Sequence, residues 1–158
     1  MSFDPDAFRA VLGRFASGVT VVTLRDEGGR DHGMTASAFC SLSLSPPLVL
    51  LCVDQSASMH PLLAVGREIA VNILAAGQEA LSRRFSGPDR NRFDGIGYRR
   101  GLTGAALLDD VLAMLECTVV RLYEGGDHTI VVAEVDTASA RPERPLLYYR
   151  GGYAQLER

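Results

Sequence analysis

Residues 113–139, AMLECTVVRLYEGGDHTIVVAEVDTAS, constrain the fold more than any other part of the chain. Two runs rich in Val, Thr, Ile and Tyr flank the polar turn EGGD. β-Branched and aromatic residues bounded by a glycine-rich turn read as a pair of strands. So short a connection makes the two strands antiparallel neighbours in one sheet. Other segments repeat the pattern. VTVVTLR (19–25) is strand-like and DEGGRD (26–31) is a turn into a second hairpin. LVLLCVD (48–54) reads as a fully buried strand, EIAVNILA (68–75) alternates, and PLLYYRGGYAQL (145–156) supplies a final short strand.

Helices are few and short. DPDAFRAVLGRFASG (4–18) has Asp4 as cap, Pro5 in the first turn, apolar residues at Phe8, Val11, Leu12 and Phe15, and Gly18 as its end. SASMHPLLAVG (56–66) and GQEALSRRF (77–85) read as two more. Residues 86–104 are irregular and rich in Gly, Asp and Arg, and a loop of that length in a compact domain is functional or mobile. The expected fold is mainly β with short helices, one domain over residues 1–158, its six or seven hairpin-linked strands closing into an antiparallel barrel. No regular βαβ alternation supports a doubly wound sheet.

The totals exclude several classes. A chain of 158 residues suits one domain, and its net charge of −3 draws it neither to nucleic acid nor to an anionic membrane. No apolar run approaches membrane-spanning length and the first residues do not resemble a signal peptide. Cys40, Cys52 and Cys117 are widely spaced and odd in number, which reads as reduced thiols in a cytoplasmic protein. His32, His60 and His128 lack paired spacing, so no metal site is expected. GIGYRRG (95–101) has its third glycine one place late for a dinucleotide-binding turn and lacks the strand and helix that such a turn joins. All 16 basic residues are Arg, so every cationic contact is a guanidinium, a group that suits phosphates and planar partners.

One stretch stands apart. In GMTASAFCSLSLSPP (33–47), Thr35, Ser37, Ser41, Ser43 and Ser45 share one parity with Phe39, and Met34, Ala36, Ala38, Cys40, Leu42 and Leu44 fill the other. Successive side chains of a strand point to opposite faces, so the second set is expected in the core. A water-facing strand normally carries charge, and this one carries none. Small residues at 36–38 leave the backbone open to a flat ligand that accepts hydrogen bonds from N–H groups and hydroxyls.

The order and spacing of FASGVTVVT, HGMTASAFCSLSLSPPLVLLCVD with SASMHPLL behind it, AVNILA, EGGDHTIVVAEV and LLYYRGGYAQL resemble the flavin reductase family over about residues 5–156. These are the small reductase components of two-component flavin-dependent monooxygenases, built on the FMN-binding, Greek-key split β-barrel. The resemblance implies that Thr35, Ala36, Ser37 and Ala38 border the isoalloxazine ring, and that Cys52, Val53 and Asp54 line the flavin. Ser56, Ser58 and Met59 would meet the ribityl phosphate. Arg83, Arg84 and Phe85 would flank phosphate and ring, His128 would lie near nicotinamide and flavin as the catalytic candidate, and Tyr153 would approach the nicotinamide. Members usually place a Lys or Arg near the phosphate; with no Lys here, which Arg serves stays open.

The implied activity is that of an NAD(P)H-dependent flavin reductase of EC 1.5.1 type. It would pass hydride from NADH or NADPH to FMN or FAD, and a separate oxygenase would receive the reduced flavin. The apolar outer faces of the strands suggest a homodimer. No side chain carries a hydride, so the redox step belongs to the flavin. Two alternatives are a non-catalytic flavin- or haem-binding barrel acting as sensor or carrier, and a protein-interaction barrel whose hydroxyl ladder is solvated.

Overall fold

The computed structural model describes residues 2–157. Helix α1 (Pro5–Leu12) is followed by β1 (Ser17–Gly18), β2 (Thr20–Arg25), β3 (Asp31–Ala36), β4 (Phe39–Ser43) and β5 (Leu48–Asp54). One 3-10 turn, His60–Leu62, precedes β6 (Glu68–Ile73), helix α2 (Glu79–Ser86), β7 (Tyr98–Arg100) and β8 (Ala106–Leu108). The long β9 (Ala113–Gly125) and β10 (His128–Ala140) lead to β11 (Leu146–Tyr149) and β12 (Gly152–Gln155). The chain is mainly β with short helices, as its patterning predicts.

Strands β9 and β10 form the spine of a seven-stranded antiparallel sheet ordered β3-β2-β6-β9-β10-β5-β4. Two register shifts bend the hairpin: Val120 is skipped on β9 and Asp136 on β10. Bulges of this kind sharpen the local twist, which lets one strand serve two partners. The first half of β9 pairs with β6, and the first half of β10 pairs with β5.

The edges of the sheet are β3 and β4, and only Ser37 and Ala38 separate them in the chain. Three residue steps span at most about 11 Å. The edges are therefore held close together and the sheet must curl, although no ladder joins β3 to β4. Inside the curl lie Val22, Leu24, Leu51, Val53, Ile69, Val71, Val119 and Val131. A second core sits outside it, where Val19, Val21, Leu74, Phe85, Leu108 and Leu146 pack beneath α2 and the C-terminal strands. Strand β2 is consequently buried on both faces.

Buried polar groups tie these layers together. Asn72 on β6 is fully buried; its amide donates to the Val21 carbonyl at 3.0 Å and its oxygen accepts the Leu108 N–H at 2.9 Å. Thr23 donates to the Ala106 carbonyl at 2.6 Å, again fixing β8 over the sheet. Glu116 on β9 is 4% exposed and accepts the N–H and hydroxyl of Thr103, both at 2.9 Å. Burial pushes its pKa up, but the hydrogen bonds from Thr103 and Leu102 outweigh burial and hold the carboxyl below its ordinary value.

Several expectations need correction. Helix α1 stops at Gly13, not Gly18, because the Gly13 carbonyl accepts the Arg150 N–H at 2.8 Å instead of continuing the helix. The apolar residues Phe8, Val11, Leu12 and Phe15 are exposed. The helix expected at 56–66 is a single 3-10 turn, since the chain enters it through a tight turn at Asp54 and meets Pro61. Strand β5 alternates instead of being buried throughout, with Leu48, Leu50 and Cys52 half-buried on the outer face. Residues 98–100 are not loop but pair with β8. The C-terminal strand is a hairpin, its turn made by Arg150 and Gly151 with φ of 51° and 75°. The hydroxyl ladder also breaks. Phe39 packs against the inner core, while Cys40, Leu42 and Leu44 are exposed, Leu44 to 92%. Parity reverses across Ser37–Ala38, and such a slip moves every later side chain to the other face.

Among the described residues no helix is long and apolar enough to cross a membrane, and no group of three or more His, Cys, Asp and Glu is placed to hold a metal.

Replacing Asn72 with Ala leaves the buried Leu108 N–H unsatisfied. It should cost about 2 kcal/mol, a fall of roughly 4–8 °C in Tm; an unchanged melting curve would refute this bridging role. Glu116→Gln gives a pH-dependent test. The depressed pKa of Glu116 makes its contribution complete above the ordinary carboxylate range and lost as pH falls through the folded-state pKa. The stability gap between wild type and variant should therefore be full at neutral pH and narrow towards pH 3, whereas a gap constant with pH would contradict it.

Candidate functional site at the seam of the sheet

The seam between β3 and β4 is built by local hydrogen bonding. The Phe39 N–H donates to the Ser37 carbonyl at 3.0 Å, a tight turn that produces the change of parity, and the Cys52 N–H donates to the Ala38 carbonyl at 3.0 Å. The chain leaving β3 is thereby laid against the end of β5. Ser37 and Ala38 are exposed, Thr35 is half-buried and Ala36 packs inward. Among the described residues, no loop or turn bond uses the Ser37 or Ala38 N–H, and the Ser37 hydroxyl has no partner. These are free donors on a strip of small side chains at the edge of a sheet.

Beside the strip is a cleft of about 220 Å3 bordered by Thr35, Ser37, Ser82, Ser86, Tyr148 and Tyr153. Helix α2 and the β11–β12 hairpin form its far wall. Thr35 donates to the Ser82 carbonyl at 2.7 Å, and the hydroxyls of Ser82 and Tyr153 are 2.8 Å apart. The Arg83 guanidinium lies 4.9 Å from the centre of the Tyr153 ring and pairs with Glu79. Tyr148 stands edge-on to Tyr153 at 5.5 Å. Thr35, Ser37, Arg83 and Tyr153, far apart in the sequence, thus meet at one place.

A larger cavity, about 400 Å3, opens along the first half of β3, with Ser58 and Met59 in its wall. Gly33 explains how α2 sits so close to this strand. A side chain at 33 would put its Cβ 2.6 Å from the Phe85 ring.

The remaining expected residues divide. Asp54, Ser56 and His128 gather at the end of the β5–β10 ladder, where His128 is paired with Asp54 in register and its Nδ1 lies 2.7 Å from Asp127. Asp54 accepts both the N–H (2.7 Å) and the hydroxyl (2.8 Å) of Ser56, bonds that hold its carboxyl below the usual range. Ser56 therefore has its donors turned to a carboxylate, while Ser58 keeps a free hydroxyl in the cavity wall. Cys52 is half-buried on the outer face, Val53 is fully buried in the inner core, and Met59 is almost so. Two of the α2 residues face away from the cleft. Arg84 donates to the carbonyls of Asn91, Arg92 and Asp94, and Phe85 is buried against Phe93 with ring centres 5.1 Å apart.

Ser82, Ser86 and Tyr148 were not among the expected residues. Tyr148 falls beside Tyr153 only because LLYYRGGY folds back as a hairpin, and its paired Arg150–Gly151 turn is the signal that would have found it.

The strip can take hydrogen-bond acceptors on the rim of a flat polar ring. Neutral donors, small side chains and an adjoining aromatic cleft fit an isoalloxazine.

Comparison with known proteins identifies the family. The model of the "Flavin reductase like domain" matches residues 12–157. The chain is 46% identical over 149 residues to the NADH-dependent FAD reductase of Streptomyces globisporus, covering 91% of this chain and 81% of that one. It is 39% identical to the flavin-dependent monooxygenase reductase subunit HsaB of Mycobacterium tuberculosis, over 98% of this chain and 83% of that one. The solved S. globisporus NADH:FAD oxidoreductase, in complex with NAD and FAD fragments, superposes with a TM-score of 0.91 at 42% identity, covering 99% and 96% of the two chains. The flavin reductase component of a bacterial two-component tryptophan halogenase gives 0.88 at 39% identity, over 97% and 98%. Matched by the family model over nearly all its length and by relatives at these identities, the chain belongs to the flavin reductase like domain family.

Proposed function

We propose that the protein catalyses hydride transfer from a reduced nicotinamide dinucleotide to a flavin and releases the reduced flavin to a separate flavin-dependent oxygenase. The observation that carries the reading is the strip of free donors at Ser37–Ala38 opening beside the Tyr153 cleft, in a chain whose relatives are named as flavin reductases. Those names support a reductase over a non-catalytic carrier.

Bound flavin supplies the hydride acceptor, and the balance is NAD(P)H plus a proton plus flavin giving NAD(P)+ and dihydroflavin. The chain's own residues bind and orient. The Ser37 and Ala38 N–H groups and the Ser37 hydroxyl donate to the polar rim of the ring, where negative charge develops on reduction. Tyr153, under the Arg83 guanidinium, forms an aromatic wall beside it. Ser58 reaches the ribityl phosphate, with Asp54, Ser56 and Cys52 shaping the strand end. His128, half-exposed at the far end of β10, orients the nicotinamide carboxamide or supplies positive charge, and takes no part in proton transfer. NADH is the expected donor, from the relatives named for it; the flavin is FMN or FAD.

The split barrel, closed across the β3–β4 seam, is part of this reading. So is a homodimer, because Leu42 on β4, Leu44 just beyond it, and Leu122 and Tyr123 near the end of β9 are exposed apolar side chains. A cytoplasmic location is also part of this reading, supported by the odd, widely spaced cysteines; Cys117 has its pKa pushed up to about 12 by burial and is inert at neutral pH.

Crossing NADH and NADPH with FMN and FAD in steady-state assays should show oxidation well above the free-flavin background, with NADH preferred. No enzyme-dependent oxidation in any combination would sink the proposal. Ser37→Trp tests the ring's place. Because Ser37 is exposed, Tm should hold while flavin affinity falls by at least tenfold, the effect expected when a bulky side chain fills a ligand's position. Unchanged affinity in a folded variant would remove the ring from this strip.

A further inference from the structure

The cavity of about 400 Å3 beside β3 is larger than one phosphate requires and falls within the range of small-molecule sites, about 300–1,000 Å3. Along β3 it lies next to the strip: Gly33, in its wall, and Ser37 are four residues apart, about 13 Å at the rise of a strand. A flavin with its ring on the strip would thus bring its tail into this cavity.

The charges around it do not cancel. Three arginines, Arg30, Arg90 and Arg92, line it against two carboxylates: Asp31 is paired with Arg100 through two bonds of 2.8 Å, and Asp89 accepts the Asn91 N–H but keeps its charge. Arg92 is committed to carbonyls, donating to Gly33, Gly87 and Asp89. Arg30 and Arg90 are left. Both line the cavity and both are exposed, and Arg30 meets Asp26 only through its backbone N–H. Among the described residues neither guanidinium has an ion pair or a hydrogen bond. Two unpartnered guanidinium groups at the mouth of a cavity walled by Ser58 and Met59 match a phosphate attached to a nucleoside.

We propose that this cavity holds the adenylate half of a flavin dinucleotide, and that Arg30 and Arg90 make the protein favour FAD over FMN. The proposal deepens the flavin reductase reading and rests on it. Neither arginine touches the ring or supports the core, so the double variant Arg30→Ala with Arg90→Ala should fold normally.

Titrating flavin fluorescence with wild type and the double variant tests this, with KM for NADH measured alongside. Affinity for FAD should fall about tenfold while that for FMN stays within about twofold, and KM for NADH should not move. An equal loss for both flavins would place the arginines on the phosphate that FMN and FAD share and overturn the proposal. No loss for either, or a rise confined to KM for NADH, would overturn it too, the latter giving the cavity to the nicotinamide dinucleotide. Wild type that binds and reduces neither flavin would defeat the function reading itself, an outcome distinct from wild type that binds both while the variant does not discriminate.

Discussion

Two residues, Ser37 and Ala38, connect the two edges of a seven-stranded sheet, and most of the structure depends on that short crossing. A flat sheet of seven strands spaced about 4.8 Å apart would hold its outer strands nearly 30 Å from each other. The crossing permits about a third of that. The sheet therefore rolls, and rolling divides its side chains into an inner core and an outer face. The outer face then needs a second layer wherever it is apolar, which α2, β8 and the C-terminal hairpin supply over β2 and β6. The inward position of Val53, the double burial of β2 and the placing of Tyr153 beside Thr35 all follow.

Much of this could be read from residue order. The hairpin of β9 and β10, strands β2 and β6, helix α2 and the mainly β class are all written in local periodicity. What could not be read shares one cause: a tertiary contact decided a point on which the local sequence is neutral. Alternation runs from Thr35 to Ser45 with one interruption, the apolar Phe39 among the hydroxyls, and neither Gly nor Pro marks the turn at Ser37, so Phe39 was the single sign of the exchange of faces. LVLLCVD is apolar at every position before its final Asp, and periodicity cannot tell a strand buried on both sides from one whose outer face is open. Gly13 ends α1 because Arg150, far along the chain, takes its carbonyl. Thr35–Ala38 and Tyr153, singled out from residue order, are brought together by the fold at the candidate site. Residue order did not show that the side chains of Arg84, Phe85 and Ser56 are engaged by the 91–94 segment, the Gly33 face and Asp54.

The chain's exclusive use of arginine has a structural consequence. A guanidinium presents five donors in a fixed plane, whereas an ammonium presents three at one point. Arg84 and Arg92 use that fork to gather carbonyls from Gly33, Gly87, Asp89, Asn91, Arg92 and Asp94. Residues 87–94, which composition alone marks as functional or mobile, are pinned to β3 and α2. Rigid staples and free cations are thus the same residue type, and only the count of satisfied donors distinguishes them. Arg84 and Arg92 are spent on the scaffold, and Arg30 and Arg90 are not.

A rolled sheet with an unpaired seam carries a hazard that closed barrels lack, because edge strands present N–H groups to any passing strand. In this chain the crossing at the seam is short, made by a tight turn and bordered by Tyr148 and Tyr153. A planar ring bearing acceptors along one rim can still reach the donors at Ser37 and Ala38. The contacts there are neutral and open to solvent, which suits a flavin that must enter oxidised and leave reduced in every cycle. Strong charge pairing at the ring would slow that departure, and the unpartnered arginines line the neighbouring cavity and not the strip.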